Sequence, residues 1–256
     1  MLFKPLATDL KTTPVARRGA RRAAAACFVL LCVLAGGMAA AHGASPWFPL
    51  KAAAVYGLAI AVLLQALDAD AQLARFGPAN GVTLLRLSLV ALLAAVIGEP
   101  VGDASRAAWT VVVIATIAAL LDAADGPLAR ATGMASAFGA RFDMETDALL
   151  TLVLSLLLMH FGKVGAWILA AGLMRYAFVL AMRAWPWLQA PLAPSLRRKT
   201  ICVVQITSLI VCLAPIVPRP WTTLIAAASL ALLAASFGAD IMLLARRRQP
   251  CAVGGA

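Results

Sequence analysis

Residues 121–150 read LDAADGPLARATGMASAFGARFDMETDALL, and this stretch decides how the chain is organised. It ends one apolar run, 107–121, and opens another, 148–161. Between them it places Asp122, Asp125, Asp143, Glu145 and Asp147, five of the eleven acidic residues in the chain. On a helix, Asp122, Asp125 and Ala129 share one face at i, i+3 and i+7. Gly139, Asp143 and Asp147 share another at i, i+4 and i+8. Consecutive membrane helices run antiparallel, so the two acidic stripes are expected to meet at the same edge of a membrane. A carboxylate set into a membrane helix costs about 3 kcal/mol unless it is paired or metal-bound.

The rest of the 256 residues supports a membrane setting. The chain is 63% hydrophobic and only 13% charged, against about 25% charged residues in a soluble domain, and its mean hydropathy is +0.92. There is too little polar side chain to cover a water-facing surface, so lipid must solvate most of the molecule. Eight apolar runs stand out, at 23–41, 48–67, 82–97, 107–121, 148–161, 164–182, 201–217 and 221–245. The breaks between them carry glycine and proline, as at Gly77-Pro78 and Glu99-Pro100.

The net charge of +11 invites a nucleic-acid reading, but its placement argues for membrane topology. With every run crossing and the N-terminus in the cytoplasm, seventeen of the 22 Lys and Arg fall on the cytoplasmic side, counting Arg86 near the cytoplasmic start of its run. Lys51, Arg106, Lys163 and Arg219 fall outside, and Arg175 lies within a run. The positive-inside rule is obeyed, and residues 122–147 face the cytoplasm. The first run follows Lys4, Lys11, Arg17, Arg18, Arg21 and Arg22 and ends in small residues. A cleaved signal peptide would fit that pattern, but the 19 residues are long enough to span, and the run reads as an uncleaved first helix. Cys27, Cys32, Cys202, Cys212 and Cys251 show no metal-binding spacing and read as thiols rather than a disulfide framework. Gly36-Gly37 reads as a close helix contact. His42 and His160 read as interfacial residues.

Four carboxylates converging in a small space call for a hard divalent cation, and an all-oxygen ligand set favours Mg²⁺ or Mn²⁺ over zinc. Two such ions suit phosphoryl transfer, because they neutralise a diphosphate and stabilise the leaving group. An ion transporter is the competing class, but it predicts acid spread through the membrane depth rather than gathered at one edge.

The spacing D-x-x-D-G-x-x-A-R, eight residues, then G-x-x-x-D-x-x-x-D, resembles the signature of the CDP-alcohol phosphotransferases, also called CDP-alcohol phosphatidyltransferases. All eight fixed positions are present: Asp122, Asp125, Gly126, Ala129, Arg130, Gly139, Asp143 and Asp147. Asn80-x-x-Thr83-x-x-Arg86 resembles the segment that opens the family core. Ser195-Leu-Arg-Arg-Lys199, with Gln205 beyond it, resembles a later one, although Arg198 stands where the family usually has glycine.

The resemblance implies an all-α integral membrane fold, a six-helix core preceded by two extra transmembrane helices. The expected parts are a cytoplasmic basic N-terminus at 1–22, the two extra helices and a linker at 23–79, the core at 80–245 and a cytoplasmic tail at 246–256. It implies metal binding by Asp122, Asp125, Asp143 and Asp147, with Asp147 as general base. Nucleotide contact falls to Asn80, Thr83, Gly126, Ala129, Arg130 and Gly139. The donor is CDP-diacylglycerol or another CDP-alcohol, the acceptor a small alcohol such as glycerol 3-phosphate, and CMP is released. Inositol phosphate, serine or a choline-like alcohol is the alternative acceptor. Arg183, Arg197, Arg198 and Lys199 read equally as acceptor-phosphate ligands or as topology charges, and Arg175 as a cleft-facing anion contact or a snorkelling residue. A bacterial inner membrane and a homodimer complete the expectation, with membrane lipids and no nucleic acid as partners.

Overall fold

The computed structural model describes residues 14–68, 76–100, 102–131, 136–190 and 195–248, with side chains described outside 14, 68, 124–131 and 247–248. Each of the eight apolar runs falls mainly on one helix: α1 Pro14–His42, α2 Phe48–Asp68, α3 Pro78–Ala95, α4 Ala104–Ala131, α5 Ala137–His160, α6 Leu169–Ala184, α7 Leu196–Leu213 and α8 Arg219–Arg248, with runs 82–97, 148–161, 164–182 and 201–217 overrunning their helices by one to five residues. No strand occurs among the described residues. A backbone in lipid must satisfy its own N–H and C=O groups, which favours this all-helical solution.

Six helices (α1, α2, α3, α4, α6 and α8) are long and apolar enough to cross a membrane, which makes the chain a multi-pass integral membrane protein. The other two carry more charge. Arg197, Arg198 and Lys199 lie at the start of α7, and Asp143, Glu145 and Asp147 lie on α5.

The helices reach further than the apolar runs. Helix α1 begins at Pro14 rather than near Ala23, so Arg17, Arg18, Arg21 and Arg22 belong to its first turns. Arg and Ala are strong helix formers, so the charged segment continues the helix instead of preceding it. In the same way α4 runs on to Ala131 and α5 starts at Ala137. The acidic stretch is therefore two helix ends with a short connection. The Ser136 hydroxyl caps α5 by accepting from the Gly139 N–H at 3.0 Å.

Helix α3 is the axis of the bundle. Of its apolar window 72% is buried, against 17–28% for the other spanning helices. It packs against α1, α2, α4 and α5, and its second half, 87–95, is apolar on every face apart from Ser88, as an enclosed helix requires. Helices α1 and α2 cover one side of it through Ala16, Ala20, Ala24, Leu31 and Ala35 on α1 and Phe48, Ala52, Tyr56, Leu63 and Leu67 on α2, all buried. The Tyr56 hydroxyl donates to the Ala24 carbonyl at 3.0 Å, joining the pair. One packing expectation fails: a side chain at Gly36 or Gly37 would meet nothing within 4 Å, because both face away from the other helices. Gly172 does mediate a close helix contact, a Cβ there falling 2.5 Å from the Leu152 Cα.

Candidate active site

The alternation of helices brings the ends of α4 and α6 and the starts of α3, α5 and α7 to one end of the bundle. Helix α3 contributes Asn80, Thr83 and Arg86, three residues spaced one turn apart and all buried. Helix α4 contributes Asp122, and α5 contributes Asp143 and Asp147. One carboxylate oxygen from each of these three aspartates lies within 4.8 Å of the others. Thus Asp122 from one acidic face meets Asp143 and Asp147 from the other, about twenty residues on. Asp125, Gly126, Ala129 and Arg130 lie outside the described side chains, though their backbone belongs to α4.

The trio surrounds a single buried cation. Arg86 is 0% exposed. Its Nη1 donates to Asp143 Oδ1 at 2.5 Å and lies 2.8 Å from Asp122 Oδ1, while Nη2 donates to Asp147 Oδ1. The aspartates themselves are only partly buried, with side-chain exposures of 21%, 38% and 18% for Asp122, Asp143 and Asp147. They line an accessible surface above Arg86. From α7, the Cys202 thiol faces the remaining Asp147 oxygen, Oδ2, at 3.9 Å.

Gly139 on α5 and Asn80 on α3 bring the two helices into close contact. A Cβ on Gly139 would fall 2.7 Å from Asn80 Oδ1, so any larger residue there would have to displace the Asn80 side chain. Thr83 turns its hydroxyl to the Ala79 carbonyl of its own helix at 3.1 Å.

The cations expected to bind an acceptor lie on α6 and α7, and three of them already approach carboxylates. Arg175 on α6 donates to Glu145 at 2.6 Å. Arg197 pairs with Asp240 of α8, and Arg198 approaches the same carboxylate at 3.9 Å. Arg183 ends α6, and Lys199 is exposed on the first turn of α7. Sequence reasoning assigned no role to Arg86 or Cys202. Arg86 does carry a signal, a charge within an apolar run, on the turn after Asn80 and Thr83. Cys202 carries none.

The donor set fits a hard divalent cation. All three ligand atoms are carboxylate oxygens from separate residues, partly open to a ligand and close enough to share one ion. The CDP-alcohol phosphatidyltransferase family model matches residues 76–237, from just before α3 into α8. The chain belongs to that family, and α1 and α2 precede the matched region. Comparison with curated proteins and with solved structures returns no match. The protein is thus a membrane-embedded transferase of the class that moves phosphatidyl groups from CDP-alcohols in lipid synthesis.

Proposed function

We propose that the protein transfers a phosphatidyl group from CDP-diacylglycerol to glycerol 3-phosphate and releases CMP. The convergence of Asp122, Asp143 and Asp147 within a matched family region is the observation that carries this reading. These aspartates, with Asp125, are the ligands for Mg²⁺ or Mn²⁺, two ions in all. Bound there, divalent cations neutralise the donor diphosphate and stabilise the departing CMP.

The chain's own groups do the remainder. Asp147 takes the proton from the acceptor hydroxyl as that oxygen forms a bond to the outer phosphorus of the donor. The bond from this phosphorus to the bridging oxygen breaks, and that oxygen leaves with CMP. Gly126, Ala129 and Gly139 keep the helix faces low where the nucleotide lies, and Asn80, Thr83 and Arg130 contact it. A lipid donor suits a site at the end of membrane helices, where acyl chains remain in the bilayer.

Arg175, Arg183, Arg197, Arg198 and Lys199 receive the acceptor phosphate. Arg175 and Arg197 do so by exchanging a carboxylate partner for a phosphate, which a forked guanidinium binds equally well. The excess of cations in the segments on this side supports a cytoplasmic site in a bacterial inner membrane, where glycerol 3-phosphate is water-borne. The protein works as a homodimer.

The test is a CMP-release assay with purified protein, CDP-diacylglycerol, Mn²⁺ or Mg²⁺ and a panel of alcohols, with mass spectrometry of the lipid product. Asp147→Asn is expected to lower turnover by about 10²–10⁴-fold while largely sparing metal binding. Full activity in that variant removes Asp147 as the base. Product from another alcohol alone reassigns the acceptor.

A further inference from the structure

Arg86 is a whole guanidinium buried in the most enclosed helix of the bundle, and it meets three carboxylates from two other helices. An isolated arginine in such a place is strongly unfavourable. So are three carboxylates with oxygens within 4.8 Å of one another. Each solves the other's problem. The planar fork supplies two nitrogens in fixed relation, one shared by Asp122 and Asp143 and one for Asp147. It therefore draws the ends of α4 and α5 to one point on α3.

The balance is incomplete, however. Among the described side chains, three carboxylates counted as ionised and one guanidinium leave a formal charge of −2, so the cluster keeps an attraction for a divalent cation. That cation then binds against a positive charge already resident among its ligands. Removal of the resident charge would strengthen cation binding and leave the cation-free cluster in mutual repulsion.

We propose that Arg86 is a positioning residue that serves as a built-in counter-charge. It holds Asp122, Asp143 and Asp147 in ligand-ready order when no metal is bound, and it lowers the affinity of the cluster for metal. This inference rests on the metal-binding reading given above. It assigns to Arg86 an effect on the aspartates and none on the reacting atoms.

The test compares wild type with Arg86→Gln, purified in the presence of Mn²⁺ and then stripped with EDTA. Mn²⁺ affinity is measured by calorimetry, and the melting temperature is measured with EDTA and with Mn²⁺. Arg86→Gln is expected to bind Mn²⁺ about tenfold more tightly, a coupling of ordinary size between two linked cations. Its melting temperature in EDTA falls below that of wild type, and Mn²⁺ restores more of it. Arg86→Lys keeps one charge without the fork and is expected to fall between the two; it carries the test where Arg86→Gln does not survive stripping. Unchanged or weaker Mn²⁺ affinity in both variants overturns the inference while leaving the metal site intact. No Mn²⁺ binding by wild type overturns the metal site and the inference together.

Discussion

The two ends of the helix bundle handle charge in opposite ways. At the end away from the aspartates, Glu99 in the α3–α4 turn accepts from the Ser45 N–H at 2.7 Å and the Ser45 hydroxyl at 2.9 Å, and it also pairs with Lys51. Lys163 donates to the Ala214 and Val217 carbonyls, each at 3.1 Å, and Arg219 to the Gly162 carbonyl at 2.6 Å. One carboxylate has three donors, and two of the cations serve carbonyls in the neighbouring turns. At the aspartate end three carboxylates share one guanidinium. The first arrangement is saturated and ties α1–α2 to α3–α4 and α5–α6 to α7–α8. The second keeps surplus negative charge facing an open surface. Saturation marks charges that hold the fold, and surplus marks charges that are kept for a ligand.

Three measurements can break or sharpen that contrast. The largest effect is expected at the aspartate end. Asp143→Asn should lower CMP release by at least about 10²-fold, with a melting temperature in EDTA that is unchanged or raised because repulsion is relieved. A marked loss of stability in that variant would place Asp143 among the structural charges.

A smaller effect is expected at the other end. Glu99→Gln should cost about 1–2 kcal/mol of stability with turnover little changed. The effect should also depend on pH. Burial alone would raise the Glu99 carboxyl, but the hydrogen bonds from Lys51 and Ser45 outweigh it and hold it below the usual glutamate range. A depressed value means that the carboxylate stabilises the fold at neutral pH. That contribution is lost as pH falls through the ordinary glutamate value, about 4.3, and then through the lower folded one. The gap in melting temperature between wild type and Glu99→Gln should therefore be full near pH 7 and close in acid. A gap constant with pH would show that Glu99 acts by shape alone.

The smallest effect is expected from Arg106→Ala. Arg106 lies 4.0 Å from Asp103 and both side chains are more than 60% exposed, so the change should stay within about 0.5 kcal/mol. A larger loss would mean that the opposite end depends on more of its charges than the saturated ones.

Much of the architecture was legible in the chain itself. Lengths of apolar sequence and the scarcity of charge dictate membrane helices, and eight runs became eight helices. The helix ends were less legible, because arginine, alanine and aspartate extend a helix beyond its apolar part, as in α1, α4 and α5. The acidic motif was readable because helical spacing is local: i, i+3 and i+4 relations put Asp143 and Asp147 on one face wherever the helix packs.

What the sequence could not show is which distant side chain completes the site. Arg86 precedes Asp122 by 36 residues and Asp147 by 61, and nothing periodic links them. Only the packing of α3 between α4 and α5 puts its guanidinium among the carboxylates. Gly139 shows the same limit: its sequence reading is nucleotide contact, whereas its close neighbour in the fold is the Asn80 side chain. Gly36-Gly37 shows the reverse, a small-residue pair whose expected helix contact the fold does not make. Local periodicity and hydropathy determined the helices, their membrane setting and the acidic faces. Tertiary packing alone decided how the charges pair, because that depends on which helices become neighbours.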